Sequence, residues 1–278
     1  MLLEKLKVLP QYLLPQKGLT RLANAVSNSR LLARPMIAGF QRVFDVSLDE
    51  YRVPGAGFET FDAFFTRALK PDARMFPEDI GVIACPCDGA VSQLGDLNAG
   101  RLIQAKGRDY ALTDLLGADD WARALDGGRF ATIYLAPFDY HRVHMPFAAR
   151  LVREVRIPGR LFSVSHATTR HVDRLFARNE RMVALCETDY GPAAVVMVAA
   201  MLVAGIETAW DGIAQTRPGA VPETRDLDEL RLARGDEIGC FHWGSTVIVV
   251  TPPGAPAWRE SLAPGQRVRL GQPLTGAN

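Results

Sequence analysis

The positions of apolar and polar residues divide the chain into two parts. Up to about residue 70, apolar residues recur at helical spacing, as in Leu19, Leu22 and Val26 and in the phenylalanines of "FETFDAFFTRAL", residues 58–69. Residues three and four apart share one face of a helix. This pattern predicts N-terminal amphipathic helices, and it predicts that the phenylalanines lie in a core.

After residue 70, short β-branched runs alternate with Gly, Pro and Asp. Examples are "RFATIYLAPF", "AAVVMVAAMLVAGI" and "STVIVVTPP". Such runs are typical of antiparallel sheets. The segments "YALTDLLG" and "TTRHVDRLFARNE" predict short helices, and the polar segment 220–230, "AVPETRDLDEL", is expected to be an exposed loop.

These patterns predict an α+β fold with two regions. Residues 1–70 are expected to form a helical region, and residues 71–278 a mainly antiparallel β body that carries short helices. The longest apolar run, residues 193–206, is shorter than the roughly 20 residues that cross a bilayer, so we expect a buried strand there.

Composition changes this picture only near the N-terminus. The 278 residues carry a net charge of +1 and are 48% hydrophobic, which is ordinary for a globular protein and gives no reason to expect a nucleic-acid partner. Residues 1–43, however, contain one acid, Glu4, and seven bases: Lys5, Lys7, Lys17, Arg21, Arg30, Arg34 and Arg42. A basic amphipathic helix can lie on an anionic membrane, or it can pack on the protein with its basic face in solvent.

The early residues and the cysteines favour a cytoplasmic protein. Glu4, Lys5 and Lys7 interrupt the first apolar segment, so we expect no secretory signal. The four cysteines form no C-x-x-C pair and predict neither a disulfide framework nor a zinc site. They are Cys85, Cys87, Cys186 and Cys240.

Ser245 is the first candidate for chemistry. In "FHWGSTVIVV" it follows Gly244 at the head of an apolar run, outside both the G-x-S-x-G and the S-x-x-K patterns. The serine could simply open a strand. Alternatively, because glycine lacks a Cβ, its carbonyl is open to attack by the next residue's Oγ, and a base would then permit an N-to-O acyl shift.

His141 and His144, in "LAPFDYHRVHMP", are the candidate bases. The H-E-x-x-H spacing is absent and no other ligand is grouped with the pair, so we expect no metal. In an extended strand, residues three apart face opposite sides, so one pocket could hold both rings only across a turn or bulge. Asp88 could orient such a base, but Asp88-Gly89 is also a hairpin-turn signal, and spacing alone does not connect Asp88 to the histidines.

An ordered set of motifs resembles the phosphatidylserine decarboxylases, pyruvoyl-dependent enzymes that make phosphatidylethanolamine. The set is, in order, "CDGAVSQLG", "QAKGRDYALTDLLG", "YLAPFDYHRVHMP", "GRLFSVSHAT", "LFARNERMVAL", "IETAWDG" and "GSTVIVV". The resemblance extends from "YLLPQKGLTRLA" near the start to "RVRLGQPL" near the end. Each motif alone is weak, but their order is specific.

The resemblance implies a proenzyme that cuts itself between Gly244 and Ser245. Asp88 would orient His144, which would deprotonate Ser245 so that Oγ attacks the Gly244 carbonyl. β-Elimination of the resulting ester would convert Ser245 into a pyruvoyl group, a covalent cofactor that needs no metal. The products would be a long chain, residues 1–244, and a short chain, residues 245–278.

The resemblance also implies how the substrate reacts. A Schiff base between the headgroup amine and the pyruvoyl group would provide an electron sink after CO₂ leaves. His141 would act in decarboxylation, as carboxylate binder or proton donor, and Tyr134 and Ser163 would lie near the substrate pocket.

Partners and location follow from the same resemblance. The partners would be phosphatidylserine in an anionic membrane and the enzyme's own short chain, with a dimer of heterodimers as a further expectation. The basic N-terminal helices would hold the enzyme peripherally at the cytoplasmic face of the cell membrane.

Two residues depart from the family pattern. Trp243 stands where leucine is common and is expected to alter packing and slow maturation, and Cys87 stands where alanine is common. Two alternative functions are a serine hydrolase that uses Asp88, His144 and Ser245 as a triad, and a non-enzymatic lipid-binding β module.

Overall fold

The computed structural model describes residues 8–105, 108–201, 205–214, 220–227 and 230–276. Within these residues there are eight helices, and the first three precede residue 45. They are α1 Pro10–Leu13, α2 Gln16–Ser27, α3 Arg30–Phe44, α4 Phe61–Phe65, α5 Leu112–Leu116, α6 Asp119–Ala124, α7 His166–Thr169 and α8 Leu175–Arg178.

The strands begin after residue 88. They are β1 Gly89–Asp96, β2 Arg101–Ala105, β3 Arg108–Ala111, β4 Arg129–Leu135, β5 Arg142–His144, β6 Ala149–Ile157, β7 Arg181–Thr188, β8 Gly191–Ala199, β9 Ile206–Thr208, β10 Gly212–Ala214, β11 Glu223–Asp226, β12 Arg231–Leu232, β13 Glu237–Phe241, β14 Ser245–Thr251 and β15 Arg267–Val268.

Two large antiparallel sheets form most of the body, and β2 and β3 pair separately as a two-stranded sheet. The larger has nine strands in the order β11-β6-β7-β8-β14-β4-β1-β15, with β12 also paired to β6, and the smaller has the order β10-β9-β13-β5. The smaller sheet packs on the larger, since a Cβ on Gly239 of β13 would lie 3.2 Å from the Met197 side chain of β8. The α+β class and the antiparallel body are confirmed.

Strand β14 lies in the middle of the larger sheet. All seven of its residues are buried, and it pairs with β8 on one side and β4 on the other. β-Branched residues fit such a surface, and a strand covered on both faces needs no polar alternation. The predicted buried strands within 193–206 and 245–253 are therefore confirmed as β8 and β14.

The predicted loop over residues 220–230 was wrong in part. Residues Glu223–Asp226 form β11, which pairs with β6 at the edge of the sheet. All four side chains are exposed, so the strand has no apolar face that could reveal it in the sequence. The predicted helix over "TTRHVDRLFARNE" is short, as expected, and is confined to α8 and the end of α7.

The helices α1 and α2 turn polar residues towards the body. Their buried positions include Gln11, Gln16, Thr20 and Ser27, whereas their exposed positions include several large apolar residues. Gln11 and Gln16 accept hydrogen bonds from the backbone N–H groups of Ser163 (2.9 Å) and Leu161 (3.0 Å). An ordinary surface helix buries its apolar face and exposes its polar face, so this arrangement is the reverse. The large apolar residues exposed on the three N-terminal helices include Leu13, Leu22, Leu31 and Val43.

Phe40 of α3 connects the N-terminal helices to α4. Its ring lies 5.3 Å from that of Phe61, 5.8 Å from that of Phe64 and 6.3 Å from that of Phe65. The three α4 phenylalanines are buried, as the sequence predicted. No helix in the described part of the chain has the length and apolar character to span a membrane.

Candidate active site

The larger sheet places Ser245 and Asp88 at the same end. Ser245 begins β14, opposite Leu135 of β4 and Ala199 of β8. Asp88 directly precedes β1, which lies on the other side of β4. Because neighbouring strands are about 4.8 Å apart, the two backbones are separated by roughly 10 Å.

Ser245 has a buried hydroxyl without a partner. The residue is fully buried, and its Oγ forms no hydrogen bond; the same is true of Thr246 Oγ1. An unsatisfied buried hydroxyl costs about 1–3 kcal/mol and is uncommon, so it calls for an explanation. Beside it, nothing lies within 4 Å of where a Gly244 Cβ would be, which leaves space around that backbone.

The backbone of Trp243, directly before Gly244 and Ser245, is strained. Its φ of 101° lies in the left-handed region, which costs a non-glycine residue about 1–3 kcal/mol. Its ring packs against Phe61 at 5.2 Å and against Phe65 at 5.3 Å. The aromatic contacts of α4 therefore hold the strained residue in place.

His141 lies beside the segment that leads to Ser245. Its carbonyl accepts a hydrogen bond from Phe241 N (3.0 Å), and its ring stacks on Phe65 at 4.0 Å. Nε2 donates to Pro137 O (3.2 Å), so Nδ1 carries a lone pair, and this buried atom has no partner. Burial lowers the pKa of His141 to about 3, so its ring is neutral.

His144, three residues after His141, lies at the end of β5 opposite Glu237 of β13. Its Nδ1 donates to Gly235 O (2.8 Å), and its Nε2 accepts from the Tyr140 hydroxyl (3.0 Å). Burial lowers its pKa, although the Gly235 carbonyl and the charge of Glu237 oppose that effect. His144 Nε2 therefore carries a lone pair, which is occupied by the hydrogen bond from Tyr140.

Asp88 is bound by groups that the sequence did not predict. Its carboxylate accepts hydrogen bonds from Leu270 N and from the Arg74 guanidinium, both at 2.8 Å. Among the described residues no hydrogen bond joins Asp88, His144 and Ser245 to one another, although the charge of Asp88 acts to raise the pKa of His144. The triad of these three residues stays a prediction.

The two expected substrate-pocket residues are less directly connected to Ser245. Tyr134 is opposite Thr246, which places it on the other face of the sheet from Ser245. Ser163 follows Phe162, whose carbonyl and that of Ala199 both accept hydrogen bonds (2.8 Å) from Asn179. Ser163 therefore lies at the Ser245 end of the sheet.

A cavity of about 250 Å³ lies away from this centre, between the start of α2 and the turn at Gly159. Its lining includes Lys17 and Arg160 but not Ser245. Within the described ranges, no group of three or more His, Cys, Asp or Glu residues could hold a metal ion. All four cysteines are free and buried.

Sequence reasoning missed His242 and its partners. Its two ring nitrogens lie 2.9 Å from Asp62 and 3.0 Å from Glu207. Because His242 lies two residues before Gly244, the sequence could have indicated that it belongs to the site. The carboxylates are 180 and 35 residues away in the chain, and only the fold brings them to the ring.

Comparison with known proteins identifies the family. A family model described as phosphatidylserine decarboxylase matches residues 61–276, and a second, described as PSD, matches residues 6–45. The chain belongs to the phosphatidylserine decarboxylase family. It is therefore an enzyme, a carboxy-lyase, and this excludes the non-enzymatic lipid-binding module.

Similar relatives of this family share nearly the whole chain. Proteins named phosphatidylserine decarboxylase proenzyme are 48% identical in Ectopseudomonas mendocina (99% of each chain) and 48% identical in Pseudomonas putida strain F1 (97% of each). The proenzyme of Pseudomonas aeruginosa strain PAO1 is 46% identical over 98% of this chain and 96% of its own.

Proposed function

We propose that this enzyme decarboxylates phosphatidylserine to phosphatidylethanolamine with a pyruvoyl group that it makes from Ser245. One observation carries the proposal: the Ser245 hydroxyl is buried without a partner, directly after an unhindered Gly244. A hydroxyl that is consumed in a reaction with its own backbone needs no permanent partner. The name proenzyme, carried by relatives 46–48% identical, supports the same conclusion.

Self-cleavage begins with proton transfer from Ser245 Oγ to His144 Nε2, which must first leave the Tyr140 hydroxyl. Oγ then attacks the Gly244 carbonyl carbon, the C–N bond breaks, and the Ser245 nitrogen takes up a proton. Loss of the Ser245 Cα proton breaks the Cβ–O bond and releases Gly244 as a carboxylate. Water then converts the dehydroalanine into a pyruvoyl group and ammonia.

Asp88 is proposed to stabilise the protonated His144 through its charge. The hydrogen bonds from Arg74 and Leu270 fix the carboxylate before cleavage. Arg74 also forms an ion pair with Glu50 at 2.9 Å. The Arg74 guanidinium is therefore shared between Asp88 and a second carboxylate.

The surroundings of Ser245 fit a pyruvoyl group. At the start of the short chain the group would lie between Leu135 and Ala199, both buried and apolar, which exclude water. Its carbonyl supplies a sink for the electron pair that CO₂ leaves behind. The neutral ring of His141 has a free Nδ1 lone pair, and its lowered pKa means that a proton taken up there would be passed on readily to carbon.

Residues 1–70 are proposed to dock the enzyme on the cytoplasmic face of the membrane. The first three helices expose apolar side chains, and residues 8–44 carry five Lys or Arg and no Asp or Glu. Gln11 and Gln16 attach these helices to residues 161–163, at the Ser245 end of the sheet. A basic apolar surface attracts anionic lipid such as the substrate.

Electrophoresis and intact mass measurement test the proposal. Wild-type protein should give two chains, with a pyruvoyl mass at the start of the short one, whereas Ser245→Ala should stay in one piece. Ser92→Ala is the matched control, because Ser92 is another buried serine of the same sheet. A wild-type protein that stays intact would contradict the proposal, and labelling of its Ser245 by an acyl-directed probe would favour the hydrolase.

The two histidines can be separated by the step that each supports. His144→Ala should prevent cleavage, whereas His141→Ala should cleave but release CO₂ about 10²- to 10⁴-fold more slowly. Gels report the first effect and CO₂ release the second. Cleavage that depends on His141 and not on His144 would reverse the assignment.

A further inference from the structure

His242 is held between two carboxylates, two residues before the proposed cleavage point. The residue is 6% exposed. Nδ1 lies 2.9 and 3.0 Å from the two Asp62 oxygens, and Nε2 lies 3.0 Å from a Glu207 oxygen. Carboxylates accept hydrogen bonds, so both ring nitrogens must donate, and an imidazole that donates twice is a cation.

The partners of this cation come from separate elements. Asp62 lies on α4 and Glu207 on β9, whereas His242 lies between β13 and β14. Among the described residues no Lys or Arg forms an ion pair with either carboxylate. The charges of Asp62 and Glu207 also act on the buried Cys240 thiol, as do those of Arg142 and Glu237. Burial lowers the pKa of His242, but the bonds and charges of Asp62 and Glu207 outweigh burial, so the pKa is raised.

The segment from Phe241 to Gly244 therefore has three kinds of attachment. Phe241 N bonds to His141 O, the Trp243 ring packs on α4, and the His242 ring bonds to two acids. The strained Trp243 backbone would relax towards an ordinary conformation if these attachments were released. Such a movement would shift the Gly244 carbonyl that follows it.

We propose that the His242 cation is a positioning residue for self-cleavage: by bridging Asp62 and Glu207 it sets the Gly244 carbonyl against Ser245 Oγ. The inference rests on the proposed self-cleavage of this chain. A neutral side chain would leave two carboxylates close together without a cation, and their repulsion would open the segment. After cleavage, the same bridge holds the new C-terminus, residues 241–244.

Cleavage kinetics can test the charge directly. Wild type, His242→Gln, His242→Lys and the control His171→Gln are made by brief cell-free synthesis, transferred to buffers from pH 6.5 to 9.5, and followed by electrophoresis. Gln can form hydrogen bonds but has no charge, whereas Lys keeps a cation with an ordinary pKa near 10.4. His171 bonds to the Ala167 carbonyl, outside the segment before Gly244.

At pH 7 we expect His242→Gln to cleave about tenfold or more slowly, and His242→Lys to cleave within about threefold of wild type. At each pH the cleavage rate of wild type is divided by that of His242→Lys. Groups that titrate in both proteins affect both rates equally, so their effect cancels in this ratio. It should fall as pH rises, because the imidazolium is present below its raised pKa and is lost above it, whereas Lys stays charged.

Three results would overturn the inference. Cleavage of His242→Gln at the wild-type rate removes the need for His242, and a His242→Gln variant that cleaves as fast as His242→Lys at pH 7 removes the need for its charge. Failure of both variants while the control cleaves shows that only packing at this position matters. Intact wild-type protein would instead overturn the proposed function itself, which distinguishes the two failures.

Discussion

The β body and the N-terminal helices arrange polarity in opposite ways. In β14 every residue from Ser245 to Thr251 is buried, and most are Val or Ile. In α1 to α3 the body-facing side includes two glutamines that hydrogen-bond to it, while leucines are exposed. Apolar burial thus stabilises the body and joins α3 to α4 through Phe40, whereas polar contacts help to attach α1 and α2. Under the proposed function, the exposed leucines are available for a membrane.

The exposed fractions of single apolar side chains show how large the difference between the two regions is. Leu31 is 91% exposed and Leu13 is 85% exposed, whereas Phe130 of β4 is fully buried. Full burial of such a side chain contributes about 1.5–3 kcal/mol. The exposed leucines contribute little of this to folding, and it remains available for binding to lipid.

The largest expected effect comes from the core of the body. Phe130→Ala should lower the free energy of unfolding by about 3–5 kcal/mol, because it removes a buried ring and leaves a cavity. Leu31→Ala, the matched truncation in α3, should change it by no more than about 0.5 kcal/mol. Urea titration measures both, and equal losses would contradict the contrast between the two regions.

An intermediate effect is expected where the two regions meet. Gln16→Leu should cost about 1–3 kcal/mol, because Leu161 N loses its acceptor, even though the new side chain is apolar. Ala25→Leu, at an exposed position of the same helix, is the control and should be nearly neutral. If Gln16→Leu instead stabilised the protein in urea titration, apolar contact rather than the hydrogen bond to Leu161 N would attach α2 to the body.

The smallest effect on stability belongs to the exposed apolar side. Leu31→Ser should leave unfolding within about 0.5 kcal/mol of wild type, yet weaken binding to phosphatidylserine vesicles by about tenfold. The control is Val221→Ser, since Val221 of the body is 70% exposed. Cosedimentation measures binding, and equal loss in both variants would show that α3 has no special role at the membrane.

Periodicity predicted most of the body but could not predict which side of the N-terminal helices is buried. The runs that became β8 and β14 are continuous and apolar, so local pattern was sufficient. Leu19, Leu22 and Val26 were correctly placed in a helix, α2, yet Leu22 is 63% exposed. Periodicity shows that residues share a helix face, but it carries no information about whether that face meets the protein or is exposed.

The site could be predicted in part for a related reason. Ser245, His141 and His144 are recognisable from short motifs, because their neighbours in the chain belong to the same motif. The hydrogen bonds that Arg74 donates to Asp88, and that His242 donates to Asp62 and Glu207, join residues that are not neighbours in the sequence. Such pairs depend on the packing of α4 and the two sheets, which local patterns do not encode.

The central position of β14 has a consequence for the order of events in time. The segment 245–278 supplies β14, between β8 and β4, and β15, beside β1. For β14 to leave or enter the sheet, its hydrogen bonds to both neighbours would have to break or form, so under the proposed function the chain folds before it is cut. Under the proposed function, each molecule therefore prepares its cofactor once, after folding, and cannot renew it by exchanging the short chain for another.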